Sequence, residues 1–441
     1  MPSQKVKGIC TLIGALSLNL ILGNHYTWAC INVYYASYLH HNDTPNIKIQ
    51  DAYFIMPSII LLGYIFFTIG VKIQDKFEVR FTNFLSGLFI LLTFLILKYS
   101  SKFKINIIGF IFAGISNGLG YLSVIKNCWK YYPNNKGWVT GIILIGHGLC
   151  SFILNPIADF ILINPNQEKT ESNGFYNKNI SNNIIKYYNF VLIYFFILTF
   201  ISVSLSFTYE NDINDNNNNL ISDIIIEEKK NDNKYLIKAL KSKQNFYLSL
   251  FCFGGPFFTI LLTNTNRDFG NKNKLNQKGL QIMSLLIAFL NGSTRFIWGY
   301  FVDKFKFKEI LFFILIIQLI ISLSIYFIAY YKFLIIYIIE NLIIAILNSG
   351  IFTLLAPTFS KFFGIKYGAE IFGITGIIVG ISCFGGPIIA KFIIKENTDY
   401  LILYLSSSGI ILITIVFLIF FKEEKFEFGN DNFEQLKNED E

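Results

Sequence analysis

Charged residues are scarce in this sequence. They make up 15% of the 441 residues, against 53% hydrophobic residues, and the mean hydropathy is +0.49. Because so much apolar surface cannot be enclosed in a water-soluble globule, the composition predicts a polytopic membrane protein. The net charge of +8 is spread over loops and is not concentrated in a basic stripe interleaved with aromatic residues, which argues against nucleic-acid binding.

Motifs for cofactors and catalysis are also missing. The six cysteines all fall in apolar segments, without a CxxC pair or a Cys/His cluster, so we predict that they are buried apolar residues without a redox or metal role. No phosphate-binding loop and no nucleophile with an adjacent base can be recognised, which argues against an ATP-driven pump and against an enzyme. We therefore predict no cofactor and no metal site.

Long apolar runs are abundant. Windows of about twenty apolar residues, separated by charged or Gly/Pro-marked turns, predict twelve transmembrane helices. Their expected bounds are 8–35, 51–71, 82–98, 105–128, 137–162, 189–209, 246–266, 279–302, 309–330, 333–359, 368–391 and 400–421. The first residues, MPSQKVKG, lead directly into the first span without a signal-peptide cleavage site, so this helix is expected to be retained.

The spans divide into two sets of six. Residues 1–209 form a predicted amino-terminal bundle and residues 246–421 a carboxyl-terminal bundle. Residues 210–245 contain the polar stretches NDINDNNNNL and EEKKNDNK, which are typical of a flexible cytoplasmic linker, and residues 422–441 are expected to form a disordered cytoplasmic tail. An even number of spans places both termini on one side, and a weak excess of Lys and Arg assigns that side to the cytoplasm.

The two halves repeat each other at a near-constant offset, and the acidic turn at Asp75 recurs 228 residues later at Asp303. The positions that match at 231 residues are Gly137 with Gly368, Pro156 with Pro387, and Asn117 with Asn348. Such a repeat indicates a duplicated six-helix unit, which is the pattern of a secondary transporter with its site between the halves.

Arginine is rare, and one arginine lies deep in a span. The chain has only Arg80, Arg267 and Arg295. Arg295 precedes the charged turn at Asp303 by about eight residues, which places it roughly 12 Å inside the helix end and near the middle of a hydrocarbon layer about 30 Å thick. A charge at that depth marks a functional site whose natural partner is an anion. The planar fork of arginine can also pair bidentately with a carboxylate.

Two charged turns match across the halves. One is GYFVDKFKFK, from Gly299 to Lys308, and the other is GVKIQDKFEVR, from Gly70 to Arg80. Opposite charges at facing helix ends can form ion pairs that hold one conformation and break in the other, whereas the simpler alternative is a generic positive-inside turn. The residues predicted to gate are Asp75, Lys76, Arg80, Asp303, Lys304 and Lys308.

These turns resemble the cytoplasmic signature of the major facilitator superfamily. The stretch NGSTRFIWGYFVDK is similar to the helix 8 signature of its oxalate/formate antiporter and monocarboxylate porter branch. Two further stretches are similar to that branch: GNHYTWACINVYYASYL, from Gly23 to Leu39, and NGLGYLSVIKNCWKYYPNNKGWVTGIILIGHG, from Asn117 to Gly148.

The resemblance implies an all-α fold of twelve transmembrane helices in two six-helix bundles that works by alternating access. It also implies that Arg295 binds the carboxylate of the substrate. Members that carry oxalate have a second cation in helix 11, but the span from Gly368 to Ala390 contains no Lys or Arg. One buried cation balances one carboxylate, so we expect a monocarboxylate in preference to a dicarboxylate.

Four ionisable residues lie inside spans that the resemblance places near the centre: His25, His147, Arg295 and Glu340. His147 could carry a proton with the substrate, because an imidazole titrates near working pH; the alternative is a histidine that packs between helices. The same two readings apply to His25. Glu340 could be a proton site or a partner of Arg295, or it could form a structural hydrogen bond within its own bundle. Lys126 is expected to extend to the surface.

Four aromatic residues match the family stretches and could line a site for a small anion: Tyr26, Trp28, Tyr121 and Trp298. Plain helix packing is the alternative for each of them. The glycines of the same spans, such as Gly148 and Gly380, are expected to permit close helix contacts.

The expected function is therefore secondary transport of small monocarboxylates such as lactate, pyruvate or formate, coupled to protons. Transport of amino acids or other organic anions, anion exchange, and a non-transporting membrane sensor are the alternatives. The expected partners are the carboxylate, protons and the lipid bilayer, and the protein is expected to be a monomer in the plasma membrane.

Overall fold

The computed structural model describes residues 3–43, 45–47, 49–52, 54–166, 175–209, 234–394 and 399–426. In this part of the chain, twelve helices are long and apolar enough to cross a membrane, as the hydrophobic windows predict. They are α1 Gln4–Thr27, α2 Ile55–Lys76, α3 Val79–Tyr99, α4 Phe103–Tyr131, α5 Lys136–Ile163, α6 Lys178–Leu205, α7 Lys243–Lys272, α8 Lys278–Lys304, α9 Phe307–Tyr330, α10 Leu334–Ile365, α11 Tyr367–Ala390 and α12 Asp399–Phe420.

Several helices extend beyond their apolar windows. α1 continues into a further helix, Trp28–Asn42, and α7 begins and ends with polar turns that the hydropathy window omits. Helical hydrogen bonds need no apolar side chains, so a helix can continue past the hydrocarbon layer. The predicted linker falls largely on residues 210–233 and the tail on residues 427–441, both outside the described residues.

A glycine near the end of α10 marks the kink before α11. Gly364 has φ 78° and ψ 165° inside an otherwise continuous helical run. A Cβ at this position would meet no atom within 4 Å, so space does not require the glycine. Its positive φ does, because side-chain-bearing residues rarely adopt that conformation.

The first six helices and the last six meet along two pairs of helices. α5 packs against α8, and α2 packs against α11. We call these contacts the α5–α8 seam and the α2–α11 seam. A side chain that lies between the two seams is surrounded by helices of both halves. This is the place expected for a site between the halves.

The remaining surface of the bundle is apolar. α6 and α12 expose large side chains such as Phe196 (63% exposed), Phe200 (69%) and Phe420 (67%). An exposed belt of this kind is stable only against lipid. Together with the twelve apolar helices, it identifies an integral membrane protein.

Candidate functional site between the halves

The site begins with a tight turn in α1. Residues Gly23–Thr27 form a 3-10 turn, and three polar side chains of this turn bond to carbonyls three residues earlier. Asn24 Nδ2 donates to Ile21 O (2.9 Å), His25 Nδ1 contacts Leu22 O (3.0 Å), and Thr27 Oγ1 donates to Asn24 O (2.6 Å). Short polar side chains can satisfy carbonyls in this way. The run GNHYT therefore sets the local geometry that positions His25 and Tyr26.

Glycines allow α5 and α8 to touch along their backbones. A Cβ at Gly141 would lie 2.5 Å from the carbonyl oxygen of Arg295, and a Cβ at Gly148 would lie 2.3 Å from the Cα atom of Gly292. No side chain fits into such contacts. The α5–α8 seam therefore brings Arg295 against the part of α5 that carries His147.

Arg295 is buried in this seam without a counter-ion. Its side chain is 1% exposed. Nε donates to Asn291 O at 2.9 Å, and one terminal nitrogen lies 3.4 Å from Asn291 Oδ1. The Tyr26 side chain interacts with both Arg295 and Asn291. Across the described ranges, no carboxylate lies within ion-pairing distance of the guanidinium. Part of the guanidinium fork is therefore free to bind an anion.

His147 occupies the centre of an aromatic cluster. Its ring centroid lies 4.9 Å from that of His25, 5.3 Å from that of Tyr121 and 5.6 Å from that of Tyr26. The side chain is 4% exposed, and its Nδ1 is a buried atom without a hydrogen-bond partner among the described residues. A buried polar atom without a partner is costly, so this nitrogen is a candidate to bind a ligand or a proton.

Two residues that the sequence analysis did not select complete the wall of the site. Asn117 Nδ2 lies 3.2 Å from His25 Nδ1. Tyr64 of α2 packs against Phe67 (ring centroids 4.6 Å apart), which stacks on Tyr121 at 5.0 Å. The wall thus combines polar rings of the amino-terminal half with Arg295 and Asn291 of the other half. The polar residue Asn117 within an apolar span was the one available signal for this wall.

Five of the seven predicted substrate-binding residues lie together: Arg295, His147, His25, Tyr26 and Tyr121. The two tryptophans lie elsewhere. Trp28 packs edge-on against Tyr35 and Phe110, and Trp298 donates from Nε1 to Ile346 O at 2.8 Å. Both have the environment of helix-packing residues, which was the alternative for each.

Glu340 also lies apart from Arg295. It accepts a hydrogen bond of 2.6 Å from Ser324 Oγ, and Ser324 belongs to α9, a helix of the same half. Its second oxygen, Oε2, is buried without a partner among the described residues. The geometry matches the alternative of a structural hydrogen bond within the carboxyl-terminal bundle.

Among the hydrogen bonds of the described residues, those of Asp303 are the ones by which a predicted gating residue reaches the other half. Its two carboxylate oxygens accept hydrogen bonds of 2.8 Å from the backbone nitrogens of Gly137 and Trp138. These residues lie in the first turn of α5, where backbone N–H groups have no helical partner and a negative charge is favoured. Asp303 therefore closes one end of the α5–α8 seam.

The other gating candidates bond within their own half. Arg80 Nε donates to Ser206 O at 2.7 Å, and Lys308 Nζ donates to Ile419 O at 2.7 Å. Lys76 and Lys304 lie over neighbouring aromatic rings, at 5.2 Å from Phe77 and 5.8 Å from Tyr300 respectively.

Asp75 is paired with a lysine of its own half. Its two oxygens lie 2.6 and 2.9 Å from Lys126 Nζ. Lys126 is 3% exposed, so the prediction that it extends to the surface was wrong. The nearby carboxylate gives the buried ammonium a partner without access to water.

Two cross-half contacts were not predicted. Lys72 Nζ lies 2.8 Å from Glu370 Oε1 at the end of the α2–α11 seam, and Lys136 Nζ donates to Ser360 Oγ at 3.1 Å. In each contact the lysine lies near a helix end, and nothing in the local sequence indicates which residue of the other half it will meet. With Asp303, they close the seams at the face that carries the α2–α3 and α8–α9 turns, which we call the terminal face because Ser3 and Lys422 also lie at helix ends on it.

The model of the family "Major Facilitator Superfamily" matches residues 18–387 of this chain, which is most of both halves. The chain belongs to the major facilitator superfamily. This is a family of transporters and not an enzyme class, and it accounts for the twelve-helix, all-α fold. Within the described residues, no group of three or more His, Cys, Asp or Glu side chains could hold a metal ion.

A bacterial member of the superfamily is also similar to part of this chain. The protein described as "Uncharacterized MFS-type transporter YhjX", from Escherichia coli (strain K12), is 27% identical over 162 residues. The match spans 36% of this chain and 39% of the length of that protein. It supports the superfamily and specifies no substrate.

Proposed function

We propose that this transporter carries small monocarboxylate anions, such as lactate, pyruvate or formate, together with protons by alternating access. The observation that carries the proposal is Arg295, which is buried between the halves without a carboxylate partner among the described residues. A buried cation is stable only when it is neutralised. A travelling carboxylate supplies the missing charge and can use the free part of the fork.

The surroundings of Arg295 favour a single negative charge on the substrate. Tyr26, Tyr121, His25 and His147 add hydrogen-bonding groups but no further lysine or arginine. Among the described residues of this site, a second carboxylate on the substrate would find no further cation to neutralise it. His147, whose Nδ1 has no partner in the described structure, is the proposed proton carrier because an imidazole can exchange a proton near neutral pH.

The proposed cycle uses the terminal face as one gate. The contacts of Asp303 with α5 and of Lys72 with Glu370 hold this face closed and must break when it opens. In the proposal the terminal face is cytoplasmic, the membrane is the plasma membrane and the working unit is a monomer.

The proposal can be tested with purified protein in liposomes and a panel of labelled organic anions. We expect uptake of small monocarboxylates that an inside-alkaline pH gradient accelerates. Arg295→Ala should reduce uptake by about 100-fold, because a charge-assisted bidentate interaction is lost. Arg295→Lys should recover little, because an ammonium does not reproduce the planar fork.

Arg80→Lys is the matched control, since it makes the same exchange at an exposed position whose bonds stay within one half. It should keep uptake close to the wild-type rate. If Arg295→Ala transports every tested carboxylate normally, Arg295 is not the anchor. A panel in which only amino acids or other organic anions are carried would replace the monocarboxylate assignment, and binding without flux would indicate a sensor.

The proton carrier can be identified by a second pair of variants. His147→Gln keeps a hydrogen-bonding side chain but cannot titrate, so it should abolish stimulation by the pH gradient while substrate exchange continues. Glu340→Gln should retain stimulation, because Glu340 bonds to Ser324 away from Arg295. The opposite pattern would transfer the proton site to Glu340.

A further inference from the structure

A groove with three lysines opens on the terminal face of the carboxyl-terminal half. It has a volume of about 230 Å³ and lies between the end of α8, the start of α9, the end of α10 and the segment after α12. Lys306, Lys361 and Lys425 line it, and Glu423 is its one acidic lining residue. The groove is separate from the site around Arg295, and nothing in the proposed transport cycle uses it.

The acidic groups near the groove are already bonded to backbone. Glu423 Oε1 accepts from the backbone nitrogen of Lys308 at 2.6 Å, and both oxygens of Asp303 are held by α5. In the described part of the chain, none of the three lining lysines forms an ion pair with a carboxylate. Both carboxylates keep their charge and attract Lys361, so the three lysines exceed Glu423 and Asp303 by one positive charge.

A fourth lysine adds to this excess from the other half. The ammonium of Lys136 is repelled by Lys361 and Lys425 across the interface and is attracted by the carboxylate of Asp303. Lys361 is itself held near the groove, because its Nζ donates to Val302 O. Like charges that approach in this way repel each other, and a bound anion would relieve the repulsion.

The shape of the groove limits the kind of anion. Its volume corresponds to about eight waters at roughly 30 Å³ each, which is room for a phosphate group with a small substituent. Phe305 and Phe362 also line it, and Phe305 is 54% exposed. A basic pocket with an apolar rim near a membrane surface is suited to a phosphorylated headgroup.

We propose that this lysine groove is a binding site for a phosphate group, carried either by an anionic lipid or by a soluble phosphate compound. Lysine ammonium groups bind phosphate as point charges, and three of them can surround its oxygens without a fixed fork. Because Lys136 reaches the same charges only while the halves are closed at this face, the bound phosphate favours the closed arrangement, and closure favours phosphate binding.

Binding to the full-length protein tests the site without any transport assay. One arm titrates inorganic phosphate into detergent-purified protein and follows the shift of the thermal unfolding temperature. The other compares nanodiscs of phosphatidylcholine with and without phosphatidic acid. A shift in either arm supports the site and distinguishes the free from the lipid source, whereas no shift in both arms overturns it.

Lysine variants test whether the groove is responsible. Each lining lysine contributes about fivefold in affinity by surface electrostatics, so Lys425→Gln should weaken binding about fivefold and the triple Lys306→Gln, Lys361→Gln, Lys425→Gln variant about 100-fold. Lys425 is exposed, so its single variant does not threaten folding. Lys136→Gln should give a smaller loss than Lys425→Gln.

The matched control is the triple variant Lys5→Gln, Lys234→Gln, Lys241→Gln. These lysines are exposed, do not line the groove, and their loss changes the net charge equally. Equal losses in the two triple variants would show general charge attraction and would overturn the site. Removal of residues 427–441, which carry six acidic side chains, should not weaken binding; a loss there would overturn a site built from the described residues.

Discussion

The α5–α8 seam and the α2–α11 seam occupy equivalent places in the duplicated architecture, yet they are held differently. In the α5–α8 seam, backbone meets backbone at Gly148 and Gly292. In the α2–α11 seam, side chains of α2 make most of the close contacts: Tyr64 lies against Gly376 and Leu61 against Gly380, and the backbone of α2 comes no closer than 2.9 Å, where a Cβ at Gly373 would meet Thr68 N. The first seam carries the buried charge, and the second supplies an aromatic wall.

The two seams also differ in the contacts that their acidic turns make at the terminal face. Asp303 reaches across to the first turn of α5, whereas its counterpart Asp75 binds Lys126 within its own half. At the repeat offset of 231 residues, Lys126 corresponds to Pro357. The second half has Lys361 on α10 instead, which attracts Asp303 electrostatically but donates its hydrogen bond to Val302 O. A duplicated sequence thus produces different contacts when one partner is replaced.

The largest effect is expected where the seams differ most, at Gly148. Gly148→Ala places a Cβ 2.3 Å from backbone of Gly292, and backbone cannot rotate away, so we expect a loss of about 3 kcal/mol in stability. Gly380→Ala should cost clearly less, because its closest neighbour is the mobile end of the Leu61 side chain at 2.9 Å and the nearest backbone atom, Leu61 Cα, lies at 3.0 Å. Thermal unfolding in detergent compares the two. Equal losses would remove the distinction between the seams.

A smaller effect is expected from Asp75→Ala. It leaves the buried Lys126 ammonium without its carboxylate, and we expect about 2 kcal/mol of destabilisation. This is less than the usual loss when a fully buried ion pair is broken, because the Asp75 side chain is 45% exposed. The double variant Asp75→Ala, Lys126→Met should regain most of the loss, since it removes both charges. Chemical denaturation measures both variants. A double variant as unstable as the single one would show that the ion pair is not the cause.

Asp303→Asn tests the bond that crosses the halves. The amide keeps one acceptor oxygen but loses the charge, and we expect about a tenfold shift from closed to open at the terminal face, equivalent to about 1.4 kcal/mol. Spin labels on cysteines at Phe77 and Phe305, with the six native cysteines replaced, report the distance between the halves. Asp75→Asn is the matched control and should leave the distances unchanged; an equal shift in both variants would contradict the assigned contacts.

The smallest effect is expected at the end of the α2–α11 seam. Lys72→Glu breaks the pair with Glu370 and should shift the same distance distribution by about twofold, because Lys72 is 63% exposed and such pairs contribute about 0.5 kcal/mol. The charge-swapped variant Lys72→Glu, Glu370→Lys should return the distribution to that of the wild type. Failure of the swap to restore it would mean that the ion pair has no part in closure.

Much of the architecture could be predicted from local sequence. Twelve apolar runs predicted twelve helices, since each helix satisfies its own backbone hydrogen bonds and its length follows from the layer that it crosses. The position of Arg295 inside α8, nine residues before the end of the helix at Lys304, followed from the same spacing. The glycines Gly148 and Gly380 were correctly expected at close helix contacts, because small residues permit such contacts in a bilayer.

The pairing of side chains was less predictable. Lys126 and Lys72 both lie near helix ends with charged neighbours, yet one is buried against Asp75 and the other crosses to Glu370. Family motifs favoured Trp28 and Trp298 as much as Tyr26 and Tyr121, but only the tyrosines reach the cluster around His147. The rotation of each helix about its own axis decides which side chains face the site, and hydropathy contains little information about that rotation.

By itself, the sequence determined that the chain spans a membrane twelve times and that one arginine lies deep within it, because hydrophobicity and helical rise are properties of single segments. Only the tertiary structure decided that Arg295 lies beside His147 and that no carboxylate of the described residues pairs with it. That outcome depends on how closely two helices from different halves approach, and this distance is set by residues on both of them.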